Sequence, residues 1–262
     1  MHRIFVYGTL MKGERNHRLI ASQKPEGEGT ISSFDLYNLG SYPGIKASAH
    51  TEHIVHGEVY LVDDQTLEQV NILEGEGSLY ILQTAEVTME GGTVTAGVYV
   101  YNHECRESAR IHSGCWKQQN IYMAYGSNMD SHQMLGERCP TAKLLGCASM
   151  RGYRLAFREN RNDRVVATIL EDPDASVPVV LWAIDDACEK ELDRREGVAL
   201  DIYRRKTVYI DFRGEEVPAL VYIMAPGGKA GRPQDLYYNK ILRGYTEHGI
   251  DPAPLIEAAS EA

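Results

Sequence analysis

A six-residue phrase near the start of the chain recurs near its middle. Phe5-Val6-Tyr7-Gly8-Thr9-Leu10 corresponds to Met123-Ala124-Tyr125-Gly126-Ser127-Asn128. Each copy ends an apolar, β-branched or aromatic stretch that is typical of a buried strand, and each glycine marks a sharp turn after it. A chain that repeats a strand and its turn in this way is constrained to fold into two similar halves.

A second pair of segments keeps a constant offset and supports the duplication. The acidic pair Asp63-Asp64 corresponds to Asp185-Asp186, and Leu73-Glu74-Gly75 corresponds to Arg195-Glu196-Gly197. Asp63 and Asp185 are 122 positions apart, as are Glu74 and Glu196. The sequence therefore predicts two homologous domains, residues 1–118 and 119–262, each of which pairs a glycine turn with one glutamate and is large enough for its own core.

Cysteine usage and apolar patterning predict a cytoplasmic protein. The five cysteines form no C-x-x-C pair, and an odd number is unusual for a secreted disulfide framework. Met1 leads directly into a predicted strand without the apolar segment of a signal peptide, and no apolar run reaches the 18 residues of a membrane span. We therefore expect no membrane partner.

The charge balance indicates a small-molecule partner. Acidic residues outnumber basic ones by 37 to 27, and the basic residues form no long run. This pattern argues against a nucleic-acid partner, whose phosphates attract clustered cations. The sequence does not indicate an oligomeric state.

The elements predicted for the two halves follow one order. Asp63 and Asp185 are placed to cap helices that glycine ends. Two hairpins are predicted over residues 80–101 and 203–224, and short strands over residues 31–39, 151–157, 165–170 and 179–184. Strands outnumber helices, and neither βαβ alternation nor a G-x-G-x-x-G motif is present. The predicted fold class is α+β, with each domain a small, mostly antiparallel β-barrel or sheet with packed helices.

Glu74 and Glu196 are the candidate acid–base residues. Each lies at a predicted helix end, where the negative end of the helix dipole and burial both favour the protonated carboxyl group. A carboxyl pKa moved from about 4.3 toward roughly 6–7 suits a group that accepts and returns a proton at neutral pH. An exposed glutamate at a helix end is the alternative, which the recurrence in both halves makes less favoured.

The two glycine turns are candidate anion sites. Backbone N–H groups after a strand, in Tyr7-Gly8-Thr9-Leu10 and in Tyr125-Gly126-Ser127-Asn128-Met129, can hold an anion or a developing oxyanion. An ordinary strand-end turn is the alternative. Ser127 and Thr9 have no histidine at a spacing that would make either a nucleophile.

No metal site is predicted. His50, His53 and His56 are the nearest to a ligand group, and we interpret them as surface or loop histidines because no carboxylate or cysteine completes the set.

With these motifs the chain resembles the gamma-glutamylcyclotransferase superfamily. Its members begin with a strand that ends in Y-G-S or Y-G-T and carry one essential glutamate before a glycine. The second half resembles mammalian-type gamma-glutamylcyclotransferases, and the first half resembles the gamma-glutamylamine cyclotransferase and avirulence-induced-gene-like branch. The matching segments are residues 124–129, 194–198, Tyr203 and 238–242 in the second half, and 6–13, 39–44, 57–60, 73–75 and Tyr80 in the first.

The resemblance implies a reaction without a cofactor. The α-amine of a gamma-glutamyl group attacks its own γ-carbonyl, which releases 5-oxoproline and a free amino acid or amine. Glu196, and Glu74 in the first domain, would carry the proton. The turns would hold the glutamyl carboxylate or the oxyanion. Tyr125, Tyr203 and Tyr238 would line the pocket, with packing in the core as the alternative.

The sequence departs from the family pattern at two places. The glutathione-specific branch has Y-G-S-L before an aromatic residue, whereas Ser127 here precedes Asn128 and Met129, so glutathione is disfavoured as substrate. Relatives of the first half commonly have an arginine where Leu82 stands, so activity is expected first at Glu196. The alternative function is a non-catalytic small-ligand-binding or regulatory protein that uses the same pocket. Removal of a gamma-glutamyl protecting group from a biosynthetic amine is a third interpretation.

Overall fold

The chain forms two compact units in the computed structural model, which describes residues 1–261. One unit is Met1–Gln119 and the other begins at Asn120. Each combines a mostly antiparallel sheet with a few helices, so the predicted α+β fold class is confirmed. None of the helices formed by these residues has the length and apolar character needed to cross a membrane.

The first unit is built on a closed five-stranded barrel in the order β1-β5-β2-β6-β7. Four of its strand pairs are antiparallel, and the parallel pair β1–β7 closes the barrel. Strands β3 and β4 form a separate hairpin. The strands are β1 His2–Val6, β2 Lys24–Ser32, β3 Phe34–Asn38, β4 Pro43–Ala47, β5 Ile54–Val62, β6 Tyr80–Met89 and β7 Gly92–Tyr101, and the helix is α1 Asp64–Glu74.

The second unit is built on an open five-stranded sheet in the order β11-β12-β8-β10-β9. Only the β12–β8 pair is parallel among the described strands of this sheet. The strands are β8 Asn120–Ala124, β9 Lys143–Glu159, β10 Val165–Ile184, β11 Tyr203–Phe212 and β12 Glu215–Met224. The helices are α2 Ser131–Gln133, which continues as a π-helix over Met134–Arg138, then α3 Asp186–Arg195, α4 Asp235–Glu247 and α5 Ala253–Ser260.

The strand that leads into each glycine turn has equivalent neighbours in the two units. Strand β1 pairs antiparallel with β5 and parallel with β7, and β8 pairs antiparallel with β10 and parallel with β12. In both units the antiparallel partner runs into the helix that ends at the glutamate. Each turn therefore leaves the middle of a sheet, next to the last strand of a hairpin.

Capping explains where the two glutamates lie. The Asp63 side chain accepts a hydrogen bond from the backbone N–H of Thr66 at 2.7 Å, and Asp185 accepts one from Cys188 at 2.8 Å. Gly75 and Gly197 follow the helices with φ of 58° and 65°, a left-handed conformation that glycine adopts without steric cost. The predicted caps and helix ends are confirmed.

Strand β10 positions the sheet under the second site. Residues 179–184 are completely buried, and the largest of them is Trp182. A strand that is covered on both faces has a continuous apolar sequence. Complete burial of an aliphatic side chain in such a strand stabilises the fold by about 1.5–3 kcal/mol. The sequence predicted two strands where the structure has the single strand β10. The reason is that the segment between Glu171 and Ser176, where the pairing with β9 shifts register, is polar and mostly exposed.

Candidate active sites

Each unit contains one cavity that includes its predicted glutamate and glycine turn. In the first unit the cavity measures about 130 Å³. Its wall includes the predicted residues Tyr7, Gly8, Thr9, Leu10 and Glu74. Gly8 is required sterically, because a Cβ at this position would overlap the proline ring of residue 43.

The cavity of the second unit is larger, at about 760 Å³. Its wall contains most of the residues predicted for this site, namely Tyr125, Gly126, Ser127, Asn128, Glu196 and Tyr203. Residues separated by about 70 positions are thus brought to one cavity because α3 ends beside the turn that follows β8.

Both glutamates have the protonation behaviour of a neutral-pH acid–base group. Burial raises the pKa of Glu74 from its ordinary 4.5 to about 7. Burial also raises the pKa of Glu196 to about 7, against the opposing effects of the Arg138 charge and of a hydrogen bond from Asn128. Removal of water from a carboxylate disfavours its charged form, and this is the main cause in both units.

The turns expose backbone donors. Within the described part of the first unit, the N–H groups of Thr9 and Leu10 donate to no protein acceptor, while the turn is closed by Met11 N–H on the Gly8 carbonyl at 3.0 Å. In the second unit, taken over its described residues, the N–H groups of Ser127 and Asn128 are likewise unused. These donors are fixed before a ligand arrives, which is the arrangement of an oxyanion site.

Three tyrosines surround the first site with their hydroxyl groups held by the protein. Tyr7 donates to the Tyr99 carbonyl at 2.6 Å, and Tyr80 donates to the Pro43 carbonyl at 2.5 Å. Tyr99 donates to the Asn71 side chain at 2.6 Å. Burial raises the pKa of Tyr7 well above its usual range, so the phenol stays protonated and positions the wall.

The second site repeats these three hydrogen bonds. Tyr125 donates to the Tyr222 carbonyl at 2.6 Å, Tyr203 to the Ala167 carbonyl at 2.6 Å, and Tyr222 to Asp193 at 2.7 Å. Tyr222 was not predicted, although its distance of 123 positions from Tyr99 is the same as that between Tyr203 and Tyr80. The internal repeat could therefore have identified it.

Asn128 connects the second turn to the glutamate. Its Nδ2 donates to Glu196 Oε1 at 3.3 Å and to the Tyr122 hydroxyl at 2.9 Å. Gln133 donates to both Asn128 Oδ1 and Ser127 Oγ at 2.8 Å, which fixes the turn. In the first unit, all of whose residues are described, Leu10 occupies the equivalent position and cannot form this amide bridge.

Two predicted binding residues lie elsewhere. Met129 is completely buried behind the turn, packed against Gly244, and its N–H is donated to the Gly126 carbonyl at 3.0 Å. Tyr238 packs against Phe157 outside the cavity wall. Its neighbour Tyr237 lines the cavity instead, because successive residues of α4 point about 100° apart around the helix axis.

A carboxylate does accompany the histidines of the first unit, contrary to our expectation. Glu52, His50 and His53 have possible ligand atoms within 4.8 Å of one another, whereas His56 is not part of the group. Arg110 Nη2 lies 2.8 Å from His53 Nδ1, and Asp35 lies 2.9 Å from the same nitrogen. The adjacent guanidinium repels a cation, which favours a structural hydrogen-bond network here.

Comparison with known proteins agrees with two related units in tandem. Residues 4–118 match the family described as gamma-glutamyl cyclotransferase, AIG2-like, and residues 176–254 match the AIG2-like family. The chain is 29% identical to YkqA of Bacillus subtilis over 255 residues, which cover 92% of this chain and 90% of that protein. The match to the crystal structure of YkqA covers 99% of this chain and 97% of the YkqA chain, with 26% identity and a TM-score of 0.46.

The first unit alone matches shorter relatives. It is 36% identical over 114 residues to the gamma-glutamylcyclotransferase family protein YtfP of Escherichia coli K12, and the match covers 44% of this chain and 95% of YtfP. The sequence matches lead to one conclusion. The chain belongs to the gamma-glutamylcyclotransferase family.

Proposed function

We propose that the protein is a cyclotransferase that cleaves gamma-glutamyl amides by intramolecular attack of the α-amine and releases 5-oxoproline with a free amino acid or amine. The observation that carries this proposal is a glutamate of pKa about 7 in the same cavity as unused backbone N–H groups. That pair meets the two needs of the reaction, which are proton transfer at neutral pH and stabilisation of an oxyanion.

The glutamate carries out the proton transfers. Its carboxylate accepts a proton from the substrate α-ammonium, and the freed amine attacks the γ-carbonyl carbon. The tetrahedral oxyanion is held by the N–H groups of Ser127 and Asn128, and the bond to the leaving nitrogen breaks as that nitrogen is protonated. One of the three ammonium protons stays on the lactam nitrogen and two leave with the amine, so Glu196 returns to its starting state.

No protein nucleophile is required for this reaction. The attacking nitrogen belongs to the substrate, and its attack closes a five-membered ring, which is favoured by proximity. The tyrosine hydroxyl groups are already donated to backbone carbonyls and to Asn71 or Asp193, so we assign them to shaping the wall. The small-molecule substrate, the absence of a nucleic-acid partner and the cytoplasmic location stay predictions from the sequence.

The test is 5-oxoproline release from gamma-glutamyl amino acids, gamma-glutamyl amines and glutathione. Wild type is compared with Glu74→Gln, Glu196→Gln and the double variant, because Gln keeps the shape and removes the proton carrier. Asp186→Asn is the matched control on α3, since Asp186 is exposed and lies outside the cavity wall. Loss of release in the double variant supports the proposal, and full activity there refutes it. Tight ligand binding by wild type without turnover would favour the non-catalytic alternative.

A further inference from the structure

The two cavities share their acid–base group but differ in size. The cavity of the second unit, about 760 Å³, lies within the 300–1,000 Å³ of typical ligand sites, whereas that of the first unit measures about 130 Å³. The reacting gamma-glutamyl group would be the same in both. The additional space in the second unit is therefore available to the leaving group.

Charge distinguishes the cavities further. Among the described residues that line the first cavity, the charged ones are Arg15 and Glu74, and Arg15 is hydrogen-bonded to the Ser41 carbonyl. The second cavity is lined by two acidic residues, Asp163 and Glu196, and by five cations. These cations are Arg138, Arg164, Arg195, Arg232 and Lys240. Such an excess of positive charge is local, because the whole chain carries a net charge of −10.

Three of the five cations are available to a ligand. Lys240 donates to Gln133, and Arg195 pairs with Glu191. Over residues 1–261, the guanidinium groups of Arg138, Arg164 and Arg232 make no hydrogen bond or ion pair to the protein. Arg138 lies close enough to Glu196 to lower its pKa, which places it at the glutamyl end of the cavity.

Arg164 and Arg232 come from two loops that are joined to each other. Arg164 is in the β9–β10 turn, and Arg232 is in the segment between β12 and α4. The N–H of Glu159 donates to the Lys229 carbonyl at 2.9 Å, which connects the two loops. A Cβ on Gly231 would lie 2.8 Å from Val165 Cγ2, so the Gly231 backbone packs directly against the Val165 side chain. Both arginines thus face one cavity from a common rim.

We infer that the second unit acts on gamma-glutamyl compounds whose leaving amine carries two or more carboxylates, of which gamma-linked glutamyl oligomers are the chemical class. This inference rests on the proposed function. Guanidinium groups pair with carboxylates through two parallel hydrogen bonds. Arg138 is placed for the reacting glutamyl end, and Arg164 and Arg232 match two carboxylates of the departing residue. Each further gamma-linked residue adds one carboxylate toward the open side of the rim.

The experiment compares gamma-glutamyl-alanine, whose leaving group has one carboxylate, with gamma-glutamyl-glutamate and tri-gamma-glutamate. It is run with the full chain in a Glu74→Gln background, so that turnover comes from the second unit. The expected result is a higher kcat/KM for the two glutamyl substrates, with a preference that decreases between 20 and 200 mM salt because screening weakens exposed ion pairs.

Charge-removing variants assign the preference to the rim. Arg164→Gln with Arg232→Gln should lower kcat/KM for gamma-glutamyl-glutamate by roughly 2- to 30-fold, the range for two exposed ion pairs, and should change gamma-glutamyl-alanine much less. Arg154→Gln is the control, since Arg154 pairs with Glu261 outside the cavity and should leave both substrates unchanged.

The outcomes separate this inference from the proposed function. Equal kcat/KM for the alanine and glutamate substrates, with the same salt dependence, would overturn the inference and leave cyclotransferase activity in place. Release by wild type that disappears in the Glu74→Gln background would also overturn it, while the first unit keeps the function. No release by wild type from any substrate would overturn both.

Discussion

Replacement of Glu196 by Gln should stabilise the second unit at pH 8 while it removes turnover there. Burial raises the pKa of this carboxyl group from 4.5 to about 7, so the folded state holds the proton more tightly than the unfolded state. The free energy of unfolding therefore falls as pH rises from about 4.5 to about 7, and it is constant above that window. Gln remains neutral and avoids this loss.

The size of the effect follows from the two pKa values. The difference between 4.5 and 7, at about 1.4 kcal/mol per pH unit, gives an upper limit of about 3.5 kcal/mol. Because solvent in the cavity screens part of this penalty, we expect a gain of about 1–3 kcal/mol at pH 8, decreasing below about 0.5 kcal/mol at pH 4.5. Asn128 can still donate to the Gln oxygen, so its hydrogen bond is kept.

Urea unfolding at the two pH values measures this gain. Trp182 is completely buried in the second unit and reports its unfolding by fluorescence, and the contribution of Trp116 is common to wild type and variant. Glu191→Gln is the control on the same helix, because pairing with Arg194 and Arg195 lowers the pKa of Glu191 to about 2. Replacement of Glu191 by Gln should therefore not raise the free energy of unfolding at pH 8. An unchanged unfolding midpoint for the Glu196 variant at pH 8 would refute the inference that the folded state desolvates the Glu196 carboxylate.

Three further predictions concern activity. The kcat/KM for 5-oxoproline release should rise through about pH 7, since the carboxylate form of Glu196 accepts the proton, and a flat profile from pH 5 to 8 would contradict this. Gly8→Ala should remove turnover by the first cavity, because its Cβ would overlap Pro43, whereas Gly91→Ala, with no atom within 4 Å of its Cβ, should leave turnover unchanged. Asn128→Leu should move the pH profile of the second unit to higher pH, because the hydrogen bond from Asn128 lowers the pKa of Glu196. An unmoved profile in that variant would exclude the bond.

Local signals made part of the site predictable. The helix that begins after Asp63 and ends at Gly75 is specified by side-chain capping and left-handed glycine within a dozen residues, and the same holds between Asp185 and Gly197. The position of each glutamate in the sequence therefore determined its place at a helix end. Duplication then allowed one half to test the other.

Tertiary packing determines which of the candidate residues reach a site, and the sequence did not predict this. Tyr237 and Tyr238 are adjacent tyrosines on α4, and only the rotation of that helix against the turn at Met129 determines which one faces the cavity. Glu52 was not predicted beside His50 and His53, because a turn of the folded chain brings the three side chains together. Such placement depends on contacts between elements, which no local pattern contains.

The duplication separates the residues that set chemistry from those that set specificity. Glu74 reaches a pKa of about 7 through burial alone, and Glu196 reaches about the same value although Arg138 and Asn128 oppose it. The helix end, the glycine after it and the sheet below are equivalent in the two units, so they fix the acid–base group. Arg164 and Arg232 of the second cavity lie instead on the loops that follow β9 and β12. Loop residues can therefore change which amine is released while the proton carrier is kept.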